Sequence, residues 1–446
     1  MKKNENITTT INNYGCNAEG VAKCNGQTVF VPYSLIGEKI DGIIIKANSK
    51  YAIAKITNIT NKSVERITAP CPYYTKCGGC QLQHTNYLNT LKVKTEIVQN
   101  AITSIGKIDY KIPLTIASSN EYHYRNKIAM PINPKTRKLG MYRLGSHNII
   151  DIDNCLLQKN NITILIETIN QYLSITKNDV YDDDTKKGLL KSIVAREVNN
   201  SILVTIVING DDLNDKALLT NLLQSKFNNM GLSLNINKLN NNVILTNNFI
   251  HIYGLKSVEQ TEFGITYSIN NQSFLQVNDE IKTLMYQKIF EETKNDVVID
   301  AYSGAGLLSA MLAKNSKKVY GIEIVTAATK LADELKQKNE VQNLTNINGD
   351  CAEELPKILN KLTDDEKENL TIVLDPPRKG CDKKVLEAII GARPSKIIYM
   401  SCDPSTLARD LNILLTNNNY KIKFIQPYDM FPQTKHVETL AVIEKF

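Results

Sequence analysis

The sequence predicts a multidomain protein: a small antiparallel OB-like β-barrel, a central α+β domain, and a C-terminal α/β domain of Rossmann-like, doubly wound type. Three observations carry this. With 446 residues the chain exceeds one ordinary domain. Up to about residue 68, short β-rich runs are broken by turn residues. From about residue 275, strand-like runs alternate with helical patterns, the mark of a mostly parallel sheet covered on both faces.

In the first region Val29-Phe30-Val31-Pro32, Gly37–Ile45 and Tyr51–Ile56 are β-rich, and Gly26, Gly37 and Asn48 mark breaks. Small barrels of this kind bind oligonucleotides. Ala69–Cys80, rich in Cys, Pro and Gly, is irregular, and Tyr87–Ala101 reads as a helix. Strand-like runs at Lys127–Pro131, Ser201–Ile208 and Val243–Thr246, with a helix at Asn160–Leu173, make up the central region. The division is therefore 1–68, 69–272 and 273–446.

Charge is uneven. Residues 1–150 carry 20 Lys and Arg against 8 Asp and Glu, a balance of +12; the remainder carries 33 against 38, a balance of −5. A basic front end on a near-neutral body suggests a polyanion grip separate from the chemistry. There is no apolar leader and no run of membrane-spanning length, so the default expectation is a cytoplasmic protein. Nothing points to an obligate protein partner. Nine Cys, odd in number and unevenly spread, make a poor disulfide framework and a better case for metal ligands plus a reactive thiol.

Asp300-Ala301-Tyr302-Ser303-Gly304-Ala305-Gly306 lies between a strand and a helix, at the ligand end of a doubly wound sheet. Ser309 stands where a dinucleotide loop has its third glycine, so no pyrophosphate cradle is evident. Asp300 suits a ligand with a cationic amino-acid tail, such as S-adenosylmethionine. Glu323, ending the next strand, is placed to accept from a ribose hydroxyl pair.

Three later segments decide the chemistry. Leu374-Asp375-Pro376-Pro377-Arg378 has Arg378 where amine-methylating enzymes carry an aromatic residue. Met400-Ser401-Cys402-Asp403-Pro404 sets Cys402 at a helix N-terminus, where the dipole is expected to favour the thiolate. His436-Val437-Glu438 opens the last strand. A thiol and a carboxylate beside a methyl donor fit one reaction well. Thiolate addition to C6 of uracil makes C5 nucleophilic, and a carboxylate then removes the C5 proton. Such a base must first leave its stack.

Cys71, Cys77 and Cys80 form C-x5-C-x2-C, and Cys155 lies further on. Three close ligands plus a remote one suit a [4Fe-4S] cluster, with zinc as the alternative.

In these motifs, with Ser273-Phe274-Leu275-Gln276-Val277-Asn278 and His436-Val437-Glu438-Thr439 among them, the chain resembles the bacterial RNA uracil-C5 methyltransferases of the 23S rRNA type. The resemblance covers nearly the whole chain. It implies a TRAM domain as the barrel and a methyltransferase domain at the C-terminus. It implies Cys402 as nucleophile, Glu438 as proton acceptor, and S-adenosylmethionine contacts from Gln276, Tyr302, Glu323 and Asp375, with Asp350 near the adenine. It also implies that Cys71, Cys77, Cys80 and Cys155 hold a [4Fe-4S] cluster, and that a helix at about 83–114 packs on the catalytic domain. Ser303 departs from the Cys often found in the glycine loop. Relatives acting on the tRNA T-loop usually lack both barrel and Cys set, which tilts the expected substrate toward 23S rRNA. The rival readings are a non-catalytic RNA-binding factor, a nicotinamide oxidoreductase and cytosine-C5 methylation.

Overall fold

The structure, a computed structural model, describes residues 1–273, 275–294, 297–416 and 419–446; Phe274 of the sequence motif lies outside them. Two compact units are present. One comprises Met1–Pro70, Cys80–Ser119 and Glu280–Phe446; the other comprises Cys71–Gly79 and Asn120–Asp279.

The first unit begins with β1 (Asn6–Thr10), β2 (Asn13–Tyr14), β3 (Gly20–Cys24), β4 (Gln27–Val31), β5 (Lys39–Ala47) and β6 (Tyr51–Asn61). They form one sheet in the order β1-β5-β6-β4-β3-β2. Alternating residues such as Val29, Val31, Ile40, Ile44, Ala52 and Ala54 fill its core. The pairing is antiparallel except that β4 runs parallel to β6. This corrects the expectation of a wholly antiparallel sheet: β6 lies between β5 and β4, so the strand after the β5 reversal meets β4 in the same direction. Register shifts at Lys39/Ile40, Asp41/Gly42 and Ile44/Lys46 add the twist that curls a long hairpin. Helix α1 (Tyr87–Ser104) is capped by Asn86, whose side chain accepts from Asn89 N at 2.9 Å. Its buried Val98, Ala101 and Ile102 belong to the core of this unit's seven-stranded sheet.

The second unit holds β7 (Lys127–Pro131), β8 (Gly140–Tyr142), β9 (Ile149–Asp151), α2 (Asn160–Ile175), β10 (Leu190–Val198), β11 (Ser201–Ile208), α3 (Lys216–Gln224), β12 (Met230–Ile236), β13 (Phe249–Gly254), β14 (Val258–Glu262) and β15 (Ile265–Ile269). Its main sheet has the order β13-β12-β11-β10-β7, with apolar residues of α2 and α3 packed on one face. Val243–Thr246 is not a strand. The Asn235 and Asn237 side-chain amides donate to the carbonyls of Thr246, Val243 and Ile244, holding that segment as a loop.

The rest of the first unit contains α4 (Asp279–Glu292, of which 280–292 lie here), β16 (Val297–Ala301), α5 (Leu307–Leu312), β17 (Lys318–Glu323), α6 (Thr326–Lys338), β18 (Leu344–Asn348), α7 (Cys351–Lys361), α8 (Asp364–Glu368), β19 (Leu370–Leu374), α9 (Lys383–Ala392), β20 (Lys396–Ser401), α10 (Pro404–Leu415), β21 (Tyr420–Tyr428) and β22 (Glu438–Lys445). The sheet order is β18-β17-β16-β19-β20-β22-β21. β16 to β20 are parallel, while β22 is inserted antiparallel between β20 and β21. β16 and β19 are fully buried and read as continuous apolar runs, as strands covered on both faces must. The order reverses between β16 and β19, and ligands of open α/β sheets bind outside the strand ends at that point. Among the described residues, no helix is long and apolar enough to cross a membrane.

Candidate active site

Carboxyl ends of the parallel strands converge on one edge of this sheet, and the reversed β22 brings its first residue, Glu438, to the same edge. Ser401 pairs with Thr439 across β20 and β22, so Cys402 and Glu438 leave the sheet at adjoining positions. Glu438 is buried. Burial pushes its carboxyl well above the usual carboxylate range, the negative charge of Asp375 adds to this, and the Arg378 guanidinium opposes it.

The thiol of Cys402 departs from the sequence expectation. It is pushed up to about 11, by burial first, then by Glu438, with Arg378 opposing and Asp375 and Asp403 adding. The helix dipole does not prevail because burial and the carboxyl of Glu438 outweigh it, and Asp403, at the N-cap of α10, adds a smaller push in the same direction. Its Oδ1 accepts from Ser405 N at 2.9 Å and Thr406 N at 3.3 Å, satisfying the free donors and setting a negative charge beside the thiol.

Asp375 follows β19 and is pushed up to about 7 by burial, with Asp300 contributing. Asp300 is likewise pushed up to about 7 by burial, against a hydrogen bond from Ser309 and with Glu323 adding. Ser309 Oγ donates to Asp300 Oδ2 at 2.5 Å. The residue that breaks a dinucleotide fingerprint thus anchors the acid opening the loop. Glu323 accepts from Gly304 N at 3.0 Å and Val325 N at 2.7 Å, tying the loop to the end of β17. Gly304 and Gly306 have φ of +56° and +82°, and a Cβ at Gly306 would stand 2.7 Å from Ala332 Cβ. Tyr302 also has positive φ, +71°, with Ser303 N bonded to Ile322 O at 2.9 Å. Its hydroxyl is pushed up by burial and neighbours the thiols of Cys351 and Cys381. Asp350 is exposed and caps α7 through Ala352 N at 2.9 Å.

Cys402, Glu438, Asp375 and Arg378 are therefore brought together, with Asp300 and Glu323 continuing the acidic line. Arg378, which by sequence only takes the place of an aromatic residue, is the cation acting on both Cys402 and Glu438. A cleft of about 440 Å³ reaches Cys402, and Asn17, Phe30, Asn100, Arg378 and Lys435 help to line it.

Gln276 belongs to the second unit, where its carbonyl accepts from Asn126 Nδ2 at 3.1 Å. Cys71, Cys77 and Cys155 belong to that unit too, and Cys80 to the first. The Cys155 thiol is pushed up by burial, with Cys77 and Cys71 adding, so these three lie within electrostatic reach of one another. Tyr73 OH donates to Asp153 Oδ2 at 3.2 Å, linking the Cys71–Cys77 turn to the loop before Cys155. Among the described residues, no group of three or more His, Cys, Asp or Glu is placed to hold a metal ion.

Comparison with known proteins gives the family. Residues 86–446 match the family tRNA (Uracil-5-)-methyltransferase, and residues 2–57 match the TRAM domain. An uncharacterized RNA methyltransferase of Clostridium tetani is 36% identical over 451 residues, covering 99% of this chain and 97% of its own. One of Listeria innocua is 36% identical over 451 residues, covering 99% and 98%. In fold, the chain is similar to the Pyrococcus abyssi tRNA (uracil-54, C5)-methyltransferase solved with S-adenosyl-L-homocysteine, with TM-score 0.79, 24% identity and coverage of 98% and 100%. The chain belongs to the tRNA (uracil-5-)-methyltransferase family, as an RNA (uracil-C5) methyltransferase that carries an N-terminal TRAM domain.

Proposed function

We propose that this chain methylates C5 of a uridine in 23S rRNA, with Cys402 as nucleophile and Glu438 as proton acceptor. The observation that supports it most directly is the pairing of Ser401 with Thr439, which sets the thiol and the carboxyl at one strand end. S-adenosylmethionine, when bound, supplies an electrophilic methyl group on a sulfonium. Cys402, once deprotonated, adds to C6 of the ring, and the C5–C6 electron pair moves toward O4. C5 then forms its bond to the methyl carbon as the methyl–sulfur bond breaks, its electron pair staying on sulfur, so that neutral S-adenosylhomocysteine is the leaving group. The Glu438 carboxylate accepts the C5 proton, and the returning electron pair expels the Cys402 thiolate, leaving 5-methyluridine.

The acidic line fits a cationic donor, because Asp300, Asp375 and Glu438, whose charged forms burial disfavours, gain from a positive charge nearby. We assign donor contacts to Gln276, Tyr302, Glu323 and Asp375, with Asp350 close to the adenine. The thiols of Cys71, Cys77, Cys80 and Cys155 are the donor type an iron–sulfur cluster takes, zinc being the alternative, although among the described residues no three such side chains stand together as a metal site. Iron and acid-labile sulfide content of purified protein distinguishes the two.

A second reading, uridine in the tRNA T-loop, is favoured by the fold neighbour, which is named for tRNA uracil-54. The test is mass mapping of methylated nucleotides in ribosomal and transfer RNA from a deletion strain. A missing 5-methyluridine in 23S rRNA supports the first reading; loss only from tRNA supports the second; no loss anywhere overturns both.

A further inference from the structure

Two cations of the second unit meet on one sheet face, and a third adjoins them. Ile128 and Met130 of β7 and Ile193 and Ala195 of β10 point into the core. Side chains alternate along a strand, so Lys127 and Arg196 lie on the opposite face. They are direct cross-strand partners, Arg196 against Lys127. Like charges in that position repel, so a fold that keeps them opposed gives up stability for it. Arg125 adds a third: its Nε donates to the Lys127 carbonyl at 3.1 Å.

Arg196 is 0% exposed. Its Nη2 donates to Ser273 O at 2.7 Å. Among the described residues, Nε and Nη1 meet no hydrogen-bond partner. A buried guanidinium with two donors unmet forfeits hydration without recovering it. Asp279 acts on Arg196, but it also lies 3.8 Å from Lys159 and accepts from Asn126. The Lys127 ammonium is pushed down to about 8, by burial first, then by Arg196 and Arg125. The half-buried Lys127 is the reachable member on edge strand β7, with Arg196 behind it.

We propose that Arg125, Lys127 and Arg196 form a binding site for a backbone phosphate of the RNA substrate. The inference rests on the reading that the chain acts on RNA. An anion with several acceptor oxygens is what the arrangement lacks: it accepts from the reachable Lys127 and Arg125 and screens their repulsion with the buried Arg196 behind them. A phosphodiester brings that charge on a chain the protein must hold in any case, and contributes positioning without sequence readout. It also gives the excess of basic residues in positions 1–150 a specific place to act.

The experiment measures the affinity of the full chain for a single-stranded uridine-containing RNA as a function of potassium chloride concentration. Losing one phosphate contact lowers the log–log salt slope by about 0.7. Lys127→Gln is expected to lose that amount, to bind several-fold less tightly at low salt, and to keep its affinity for S-adenosylmethionine. Arg196→Met is expected to do the same; if it unfolds, Lys127→Gln and Arg125→Gln carry the test. Unchanged slopes in both of those folded variants overturn the proposal. So does an unchanged slope with a loss of inorganic phosphate or donor binding, which would assign the site to a small anion. The slope is read without turnover, so its failure is separate from a failure of wild-type protein to make 5-methyluridine.

Discussion

Ser401 and Thr439 face each other across the antiparallel pair β20–β22, and this register brings Cys402 to Glu438. A seventh strand running parallel would start at the opposite edge, a strand length away. The reversal of β22 puts its first residue within about 5 Å, one strand spacing, of the chain leaving β20. The approach of this thiol to this carboxyl thus depends on topology more than on local sequence.

Replacing the thiol tests the covalent step. Cys402→Ala is expected to lower methyl transfer by at least about 10³-fold while RNA binding is kept, because the sulfur forms a bond only during reaction. Nucleoside mass spectrometry reads turnover and anisotropy reads binding. Wild-type protein with 5-fluorouridine RNA should form a stable adduct, since fluorine does not leave as a proton does, and Cys402→Ala should form none. Turnover retained in the alanine variant removes the thiol from the mechanism.

The rate should rise with pH through neutrality. The thiol stands at about 11, so the thiolate fraction grows about tenfold per pH unit below that. The raised carboxyl of Glu438 acts in the same direction, because it accepts a proton only when ionised. Arg378 holds both groups down. Arg378→Gln should therefore shift the single-turnover profile to higher pH, and Arg378→Lys should restore part of it. A uniform loss at every pH would mean that the guanidinium serves only as a contact.

Donor binding should release protons. Asp300 and Asp375 both stand at about 7, above the ordinary 3.9 or so, and are partly protonated at neutral pH. A sulfonium nearby favours their ionised forms and drives protons off. The heat of S-adenosylmethionine binding should then vary with buffer ionisation enthalpy near pH 7, and less so for the uncharged sulfur of S-adenosylhomocysteine. The linkage sign agrees. Raised folded-state values give stability that is full below pH 4 or so and is lost as pH rises through about 7. Ligand-free protein should melt lower at pH 8 than at pH 6, with a larger rescue by donor at pH 8. Buffer-independent heats would refute this.

Much of the catalytic sheet was legible because buried parallel strands are continuous apolar runs; Val297–Ala301 and Leu370–Leu374 stand as read. The glycine loop was legible because Gly304 and Gly306 mark positive φ. Less legible was whatever depends on partners remote in sequence. The parallel β4–β6 pairing follows from strand order, which periodicity does not encode. Val243–Thr246 has the composition of a strand, but the side-chain amides of Asn235 and Asn237 take its carbonyls. At Cys402 the helix N-terminus is visible in the sequence, but the burial and the Glu438 carboxyl that outweigh its dipole come from packing and from a strand remote in sequence.

That cap gives a prediction with two opposite signs. Asp403→Ala removes two hydrogen bonds to Ser405 N and Thr406 N and should cost about 1 kcal/mol of stability, read as a lower urea midpoint. It also removes an anion beside Cys402 and frees the α10 dipole, so the thiol should fall from about 11 and react faster with iodoacetamide at pH 8. A less stable protein with an unchanged alkylation rate would mean that Asp403 serves the helix alone.

The last prediction concerns Lys94 and Asp429, an ion pair in which both side chains are fully buried. Lys94 comes from α1 and bonds both Asp429 and the Phe431 carbonyl, the latter at 2.9 Å, pinning the segment that leads into β22. Neighbouring backbone contacts reinforce it: Gln81 N and Leu82 N both bond Gln433 O, at 3.1 and 3.0 Å. Burial pushes the Lys94 ammonium down, and Asp429 opposes this without cancelling it. Removing one partner strands the other charge in a dry interior, which costs about 3–5 kcal/mol. Lys94→Met should therefore be strongly destabilised in urea, and Lys94→Met with Asp429→Leu should recover a large part, since an apolar pair of similar volume carries no stranded charge. If the double variant folds yet turns over slowly with unchanged RNA affinity, the pair positions Glu438. If the double variant is no more stable than Lys94→Met, the energetic reading of the pair is wrong.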